Sequence, residues 1–158
     1  LEAIANADLI LLGPGSLYTS LLPNLLVPEL VSVIQRSRAP RLYICNLMTQ
    51  PGETDGLDVR GHLRAIEAQL ASLGLNQRLF SAVLAQDDLA NSALIKFYKA
   101  RGAEPVLCDA KGLRKDGYDV TQAPLQGARP TSTLRHDSRS LALAVMRFYR
   151  KHKRESSQ

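Results

Sequence analysis

Four successive aliphatic residues, Leu9-Ile10-Leu11-Leu12, run straight into Gly13-Pro14-Gly15-Ser16. Such a run is too short for a free-standing helix and suits a strand buried on both faces of a parallel sheet. Gly13 stops the strand, Gly15 lets the backbone approach a ligand closely, and Ser16 can cap a helix that follows. The first N–H groups of that helix would face whatever sits above the strand end, which favours phosphate oxygens. A second stretch repeats the design. Arg41 to Leu47 reads as a strand, and Met48 to Gly56, with Pro51-Gly52 inside it, as a turn-rich loop of the kind that carries ligand-facing side chains.

Strand and helix signals alternate along the whole chain. Pro23-Asn24 ends a short helix begun at Leu17, and Pro28 with Glu29 opens a second that runs to about Arg38. Val59, Leu63, Ile66, Leu70 and Leu73 recur at spacings of three and four, an amphipathic helix ended by Gly74. Leu79 to Ala85 reads as a third strand, Ala93 to Arg101 as a helix closed by Gly102, and Pro105 to Cys108 as a short fourth strand delivering Asp109. Residues 110 to 134 show little periodicity. Leu141, Ala142, Val145, Phe148 and Tyr149 describe a final helix from Ser138, with Asp137 as its N-cap. This order implies right-handed βαβ crossovers, a mostly parallel sheet covered on both faces, and a single α/β domain over residues 1–158.

A chain of 158 residues can bury about 70% of the surface its unfolded form exposes. No stretch approaches the roughly 18 apolar residues of a membrane span, and no basic segment precedes the first apolar run. A cytoplasmic protein without a membrane span is therefore expected. Cys45 and Cys108 each sit among strand-like apolar neighbours and read as reduced core thiols; neither CxxC nor HExxH occurs. Of the net charge of +5, most comes from Arg147, Arg150, Lys151, Lys153 and Arg154. Residues 147–158 lack interleaved aromatics or a reading-head motif, so they read as a solvated basic helix end or tail, and no specific nucleic-acid partner is expected. Basic residues there also complement the helix dipole.

Ligands of parallel sheets bind beyond the carboxyl ends of the strands. There the sequence puts Gly13 to Ser16, Asn46 to Gln50, Gln86-Asp87-Asp88 and Asp109. These amides, hydroxyls, glycines and carboxylates suit an oxygen-rich ligand held by many hydrogen bonds. No nucleophile is spaced beside a base, and no dense carboxylate cluster compels a metal. The plainer alternative is that Gly-Pro-Gly and Pro-Gly are ordinary turns and Asn46 an ordinary strand-end amide.

The strings GPGSLYTSLLPNLLVPEL, LYICNLMTQPGETDG, YKARGAEPV and LRHD, in this order, resemble the YvcK family of bacterial proteins, the gluconeogenesis-factor branch of a group that includes 2-phospho-L-lactate transferase. The resemblance implies a Rossmann-like three-layer α/β fold. It implies binding of a UDP-sugar such as UDP-N-acetylglucosamine, and a regulatory role linking carbon metabolism to cell-wall synthesis and cell shape through an unidentified protein partner. It makes Gly13, Gly15, Ser16 and Thr19 the phosphate-side loop, and Asn46, Met48 and Thr49 the loop beneath the sugar or nucleoside. Tyr98 becomes a candidate for the nucleoside and Arg135 for the pyrophosphate. The structural alternatives are that Tyr98 packs on the sheet and that Arg135 pairs with Asp137. His136-Asp137 is explained as well by a helix cap as by a catalytic dyad.

Members of that family are longer and open with a turn of GGGTG type after their first strand. Nothing like it occurs here, and Leu1 to Ala7 reads as the end of a helix, so a C-terminal half lacking its first strands is expected. A sheet edge left open in this way would favour self-association. Three readings follow: a regulator that binds a nucleotide-sugar without turnover, a magnesium-dependent transferase using a nucleotide, and a sheet domain that only binds proteins.

Overall fold

The computed structural model describes residues 1–88, 92–126 and 133–155. Among them, four strands form one sheet in the spatial order β1 (Ile10–Leu12), β2 (Arg41–Ile44), β3 (Ala82–Gln86) and β4 (Asp119–Ala123). Every neighbouring pair is parallel, with Leu11 opposite Leu42, Tyr43 opposite Val83 and Leu84 opposite Thr121. The helices are α1 (Glu2–Ala5), α2 (Leu22–Asn24), α3 (Pro28–Arg36), α4 (Val59–Ser72), α5 (Ser92–Lys99), α6 (Ala110–Lys115) and α7 (Ser138–Glu155). A π-helical turn, Leu17–Leu21, leads directly into α2.

Alternation along the strands feeds two cores. Tyr43, Cys45, Val83 and Val120 pack with Val31 and Ile34 of α3, the Val59, Leu63, Ile66 and Leu70 stripe of α4, and Leu113 of α6. Leu42, Ile44, Ala82 and Leu84 face the other way, against Val145 and Phe148 of α7 and Leu94, Ile95 and Tyr98 of α5. The result is the expected three-layer α/β sandwich. Each fully buried aliphatic side chain contributes about 1.5–3 kcal/mol, so the four-residue stripe is enough to fix α4 on the sheet. Its start is set by Asp58, whose carboxylate accepts from the Gly61 N–H at 2.7 Å, and its end by Gly74 at φ +78°. Asp109 and Asp137 cap α6 and α7 in the same way, through Gly112 N (2.9 Å) and Ser140 N (2.8 Å).

Two expectations need correction. β1 is not buried on both faces: Ile10 and Leu12 are buried but Leu11 is 44% exposed, β1 standing at one edge of the sheet among the described residues. The fourth strand is not Pro105–Cys108. Pro105 makes only an isolated antiparallel bridge to Met48, and β4 lies in the stretch expected to be irregular. Asp119-Val120-Thr121-Gln122-Ala123 buries only Val120, as suits a strand paired on one side only. α6 carries a similarly weak sequence signal, being six residues long with Gly112 inside it. Among the described residues no single helix is long and apolar enough to cross a membrane.

Candidate functional site

Gly13 has φ +89°, and a Cβ there would lie 2.7 Å from the carbonyl oxygen of Ile44. Only glycine lets the chain turn so closely over the end of β2. After the cis Gly13-Pro14 bond, Ser16 caps the π-helical turn. Its hydroxyl accepts from the Thr19 N–H at 3.3 Å and from the Thr19 hydroxyl, and donates its own proton to Glu53 Oε2 at 2.8 Å. The Asn46 side-chain amide donates to the Gly15 carbonyl at 2.9 Å. Gly13, Gly15, Ser16, Thr19 and Asn46 therefore meet at the carboxyl ends of β1 and β2, joined by Glu53.

Nothing in the local sequence singles out Glu53, though Pro51-Gly52 marks the turn that presents it. The Glu53 N–H donates to the Gln50 carbonyl at 3.0 Å. Thr54 is fully buried and its hydroxyl accepts from Gln50 N at 2.8 Å, while Asp55 accepts from Gly52 N at 2.6 Å. The carboxylate thus stands on a braced turn.

Met48 and Thr49 are engaged elsewhere. Both are buried. Thr49 exchanges two bonds with Glu104, N–H to carbonyl at 2.7 Å and hydroxyl from N–H at 2.8 Å, and Val106 N donates to the Leu47 carbonyl at 3.0 Å. This short antiparallel pairing braces the loop after β2, and Met48 packs into the core beneath α7. Tyr98 packs on the same core, and its hydroxyl accepts from Leu134 N at 3.2 Å.

Tyr98 is in that way one anchor of a strap, residues 134–137, that crosses the end of β2. His136 donates from Nε2 to the Cys45 carbonyl at 3.1 Å, and Asp137 N to the Leu125 carbonyl at 2.7 Å. A carbonyl can only accept, so the His136 proton sits on Nε2; burial lowers the ring's pKa and the bond to Cys45 raises it in part. Arg135 is exposed and lies one residue from the His136 anchor. Asp137, taken up by Ser140 N, is a cap and not the counter-ion of Arg135.

At the end of β3 the Gln86 side chain has all its hydrogen-bonding groups engaged, whereas Gln126 Oε1, just beyond β4, is buried without a partner. Gln86, buried, accepts at Oε1 from Leu125 N (2.8 Å) and Gln126 N (2.9 Å), and donates from Nε2 to Asp87 Oδ1 and the Asp88 carbonyl, both at 2.9 Å. Asp109 caps α6 and lies 3.7 Å from Arg60. A cavity of about 350 Å³ opens beside them, lined in part by Asp87, Ile95, Leu107, Cys108 and Gln122. Burial raises the pKa of both thiols, Cys45 to about 12, so neither is a ready nucleophile. Among the described residues no three His, Cys, Asp or Glu side chains converge as a metal site.

The family described as 2-phospho-L-lactate transferase CofD matches residues 1–126. A Nostoc sp. protein that carries the gluconeogenesis-factor name is 39% identical over 149 residues, 94% of this chain and 32% of that protein. The gluconeogenesis factor of Halalkalibacterium halodurans is 38% identical over 146 residues, 92% of this chain and 44% of that protein. A crystal structure of a UPF0052-family protein from Bacillus halodurans superposes with a TM-score of 0.82 at 36% identity, over 92% of this chain and 44% of that one. The chain thus spans less than half the length of these relatives.

Proposed function

This chain belongs to the CofD family, and from that premise we propose that it is part of a gluconeogenesis factor that binds a nucleotide-sugar of the UDP-N-acetylglucosamine type and signals through a protein partner. The proposed outcome is regulation linking carbon metabolism to cell-wall synthesis and cell shape. One observation carries the reading. Three segments far apart in the chain converge on the end of β2, through Asn46 to Gly15, Ser16 to Glu53, and His136 to Cys45. The groups they bring are hydroxyl, amide, carboxylate and, on the strap, the Arg135 guanidinium. That set can hold an oxygen-rich, anionic ligand. The names of the relatives support the same direction.

Titration calorimetry with UDP-N-acetylglucosamine tests it. The longer protein is expected to bind, and this chain alone to bind by orders of magnitude more weakly, since each ligand hydrogen bond left unmade forfeits about 0.5–1.5 kcal/mol. Equal, tight binding by both would mean that the site lies within these residues. Incubation with ligand and magnesium is expected to return the ligand intact, while ligand raises thermal stability by mass action.

The family's description favours a second reading, a magnesium-dependent transferase acting on a nucleotide substrate. Asp87 and Asp109 are the carboxylates it would draw on, and both already serve internal bonds. Magnesium-dependent release of UDP or UMP, or transfer of a phosphosugar, abolished by Asp109→Asn or Asp87→Asn, would replace the regulator with the transferase.

A further inference from the structure

The Ser16 hydroxyl has its acceptor capacity engaged by two groups of Thr19, and its single proton goes to Glu53. The spot where the glycine loop would present a donor to an anion is therefore filled by an anion of the chain itself. The ion pairs among the described residues use Asp109, Asp116, Glu67 and Asp119, and none uses Glu53. Among the described residues no fixed cation offsets its charge, so a diphosphate set against the same hydroxyl would be repelled. A carboxylate offers about four acceptor positions, and Ser16 takes one. What this place can recognise is a donor.

Resting on the nucleotide-sugar reading, we propose that Glu53 is the specificity-determining residue of the site. Its carboxylate accepts a hydrogen bond from a hydroxyl of the ligand's sugar portion, and the diphosphate lies away from Ser16, on the side of the strap that carries Arg135. The braced turn beneath Glu53 holds the acceptor in position before ligand arrives, which keeps the ordering cost of binding small. Ser16 in this arrangement is a positioning residue, fixing the carboxylate through the bond at 2.8 Å. The hydroxyl it reads belongs either to the ribose or to the hexose, and the two are separable.

The test is titration of the intact protein and its Glu53→Gln variant with UDP-N-acetylglucosamine, UDP, and inorganic pyrophosphate. The variant keeps the shape and removes the charge. It should lose about tenfold or more in affinity for UDP-N-acetylglucosamine, the scale of a charge-assisted bond, with pyrophosphate affinity unchanged and melting temperature preserved. Equal losses for UDP and the UDP-sugar would identify the ribose hydroxyls; a loss confined to the UDP-sugar would identify the hexose. Unchanged binding of the UDP-sugar by Glu53→Gln overturns the proposal and leaves the nucleotide-sugar reading standing. Tighter binding of UDP and pyrophosphate by the variant also overturns it, since Glu53 would then be occupying the phosphate position. Failure of the wild type to bind either nucleotide overturns the reading and the proposal together.

Discussion

The two ends of one sheet edge use the same kinds of side chain for opposite purposes. Beyond β3 and β4, Gln86 is 5% exposed and spends both donors and its oxygen on Asp87, Asp88, Leu125 and Gln126. Beyond β1 and β2, Ser16, Asn46 and Glu53 are only half-buried, and the bond from Ser16 leaves Glu53 with acceptor positions unspent. The Gln86 cluster is a polar brace, and the second region is where we place the proposed ligand. An amide or carboxylate at a strand end thus reveals little by type; how far its partners are already supplied separates a brace from a recognition group.

Gln86→Leu fills similar space but strands two backbone N–H groups, so chemical denaturation should show a loss of about 3 kcal/mol or more, at about 1–3 kcal/mol for each buried group left unpaired. Stability close to wild type would mean that the β3–β4 end is no scaffold. At the other end, Arg135→Ala should leave the melting temperature alone and cost about 1.5–3 kcal/mol of nucleotide-sugar affinity by calorimetry. Arg135→Lys should recover little, because an ammonium lacks the planar fork. Unchanged affinity with reduced stability would move Arg135 into the scaffold. Ser16→Ala removes a cap and the donor to Glu53, and thermal unfolding should register about 1 kcal/mol.

The smallest effect concerns pH. His62 is fully buried on α4, donating from Nδ1 to the Asp58 carbonyl at 2.9 Å, and burial lowers its pKa below the usual 6.5. His136 shifts in the same direction, again chiefly through burial. The unfolded chain therefore takes up protons first as pH falls. This contribution to stability is complete above the usual histidine range and is lost as pH drops below it toward the folded-state values. Melting temperatures across that range should decline on the acid side, and His62→Leu should flatten the decline. A pH-independent melting temperature would mean that neither ring stays neutral through burial.

Much of the framework could be read in advance where a local signal sufficed. The stripe of α4 and the Asp137 cap of α7 depend on residues within a few positions of each other, as does the turn at Gly13. β4 could not be read that way, since a one-sided strand with a single buried side chain has no strong period. Glu53 was invisible for a different reason: its meaning comes from Ser16, 37 positions away, and no spacing rule links them. Gln86 was noticed as a strand-end polar residue, but only the fold distinguishes a saturated amide from one that faces a ligand.

The bond from His136 to the Cys45 carbonyl spans 91 positions, and that span sets a timetable. β1 through β4 and the crossover helices α3, α4 and α6 all precede residue 136 in the order of synthesis. The strap that crosses the end of β2 follows them, and α7 comes after the strap. A chain interrupted before the strap would therefore keep its four strands but lack both the cover over the end of β2 and the α7 layer over one face of the sheet.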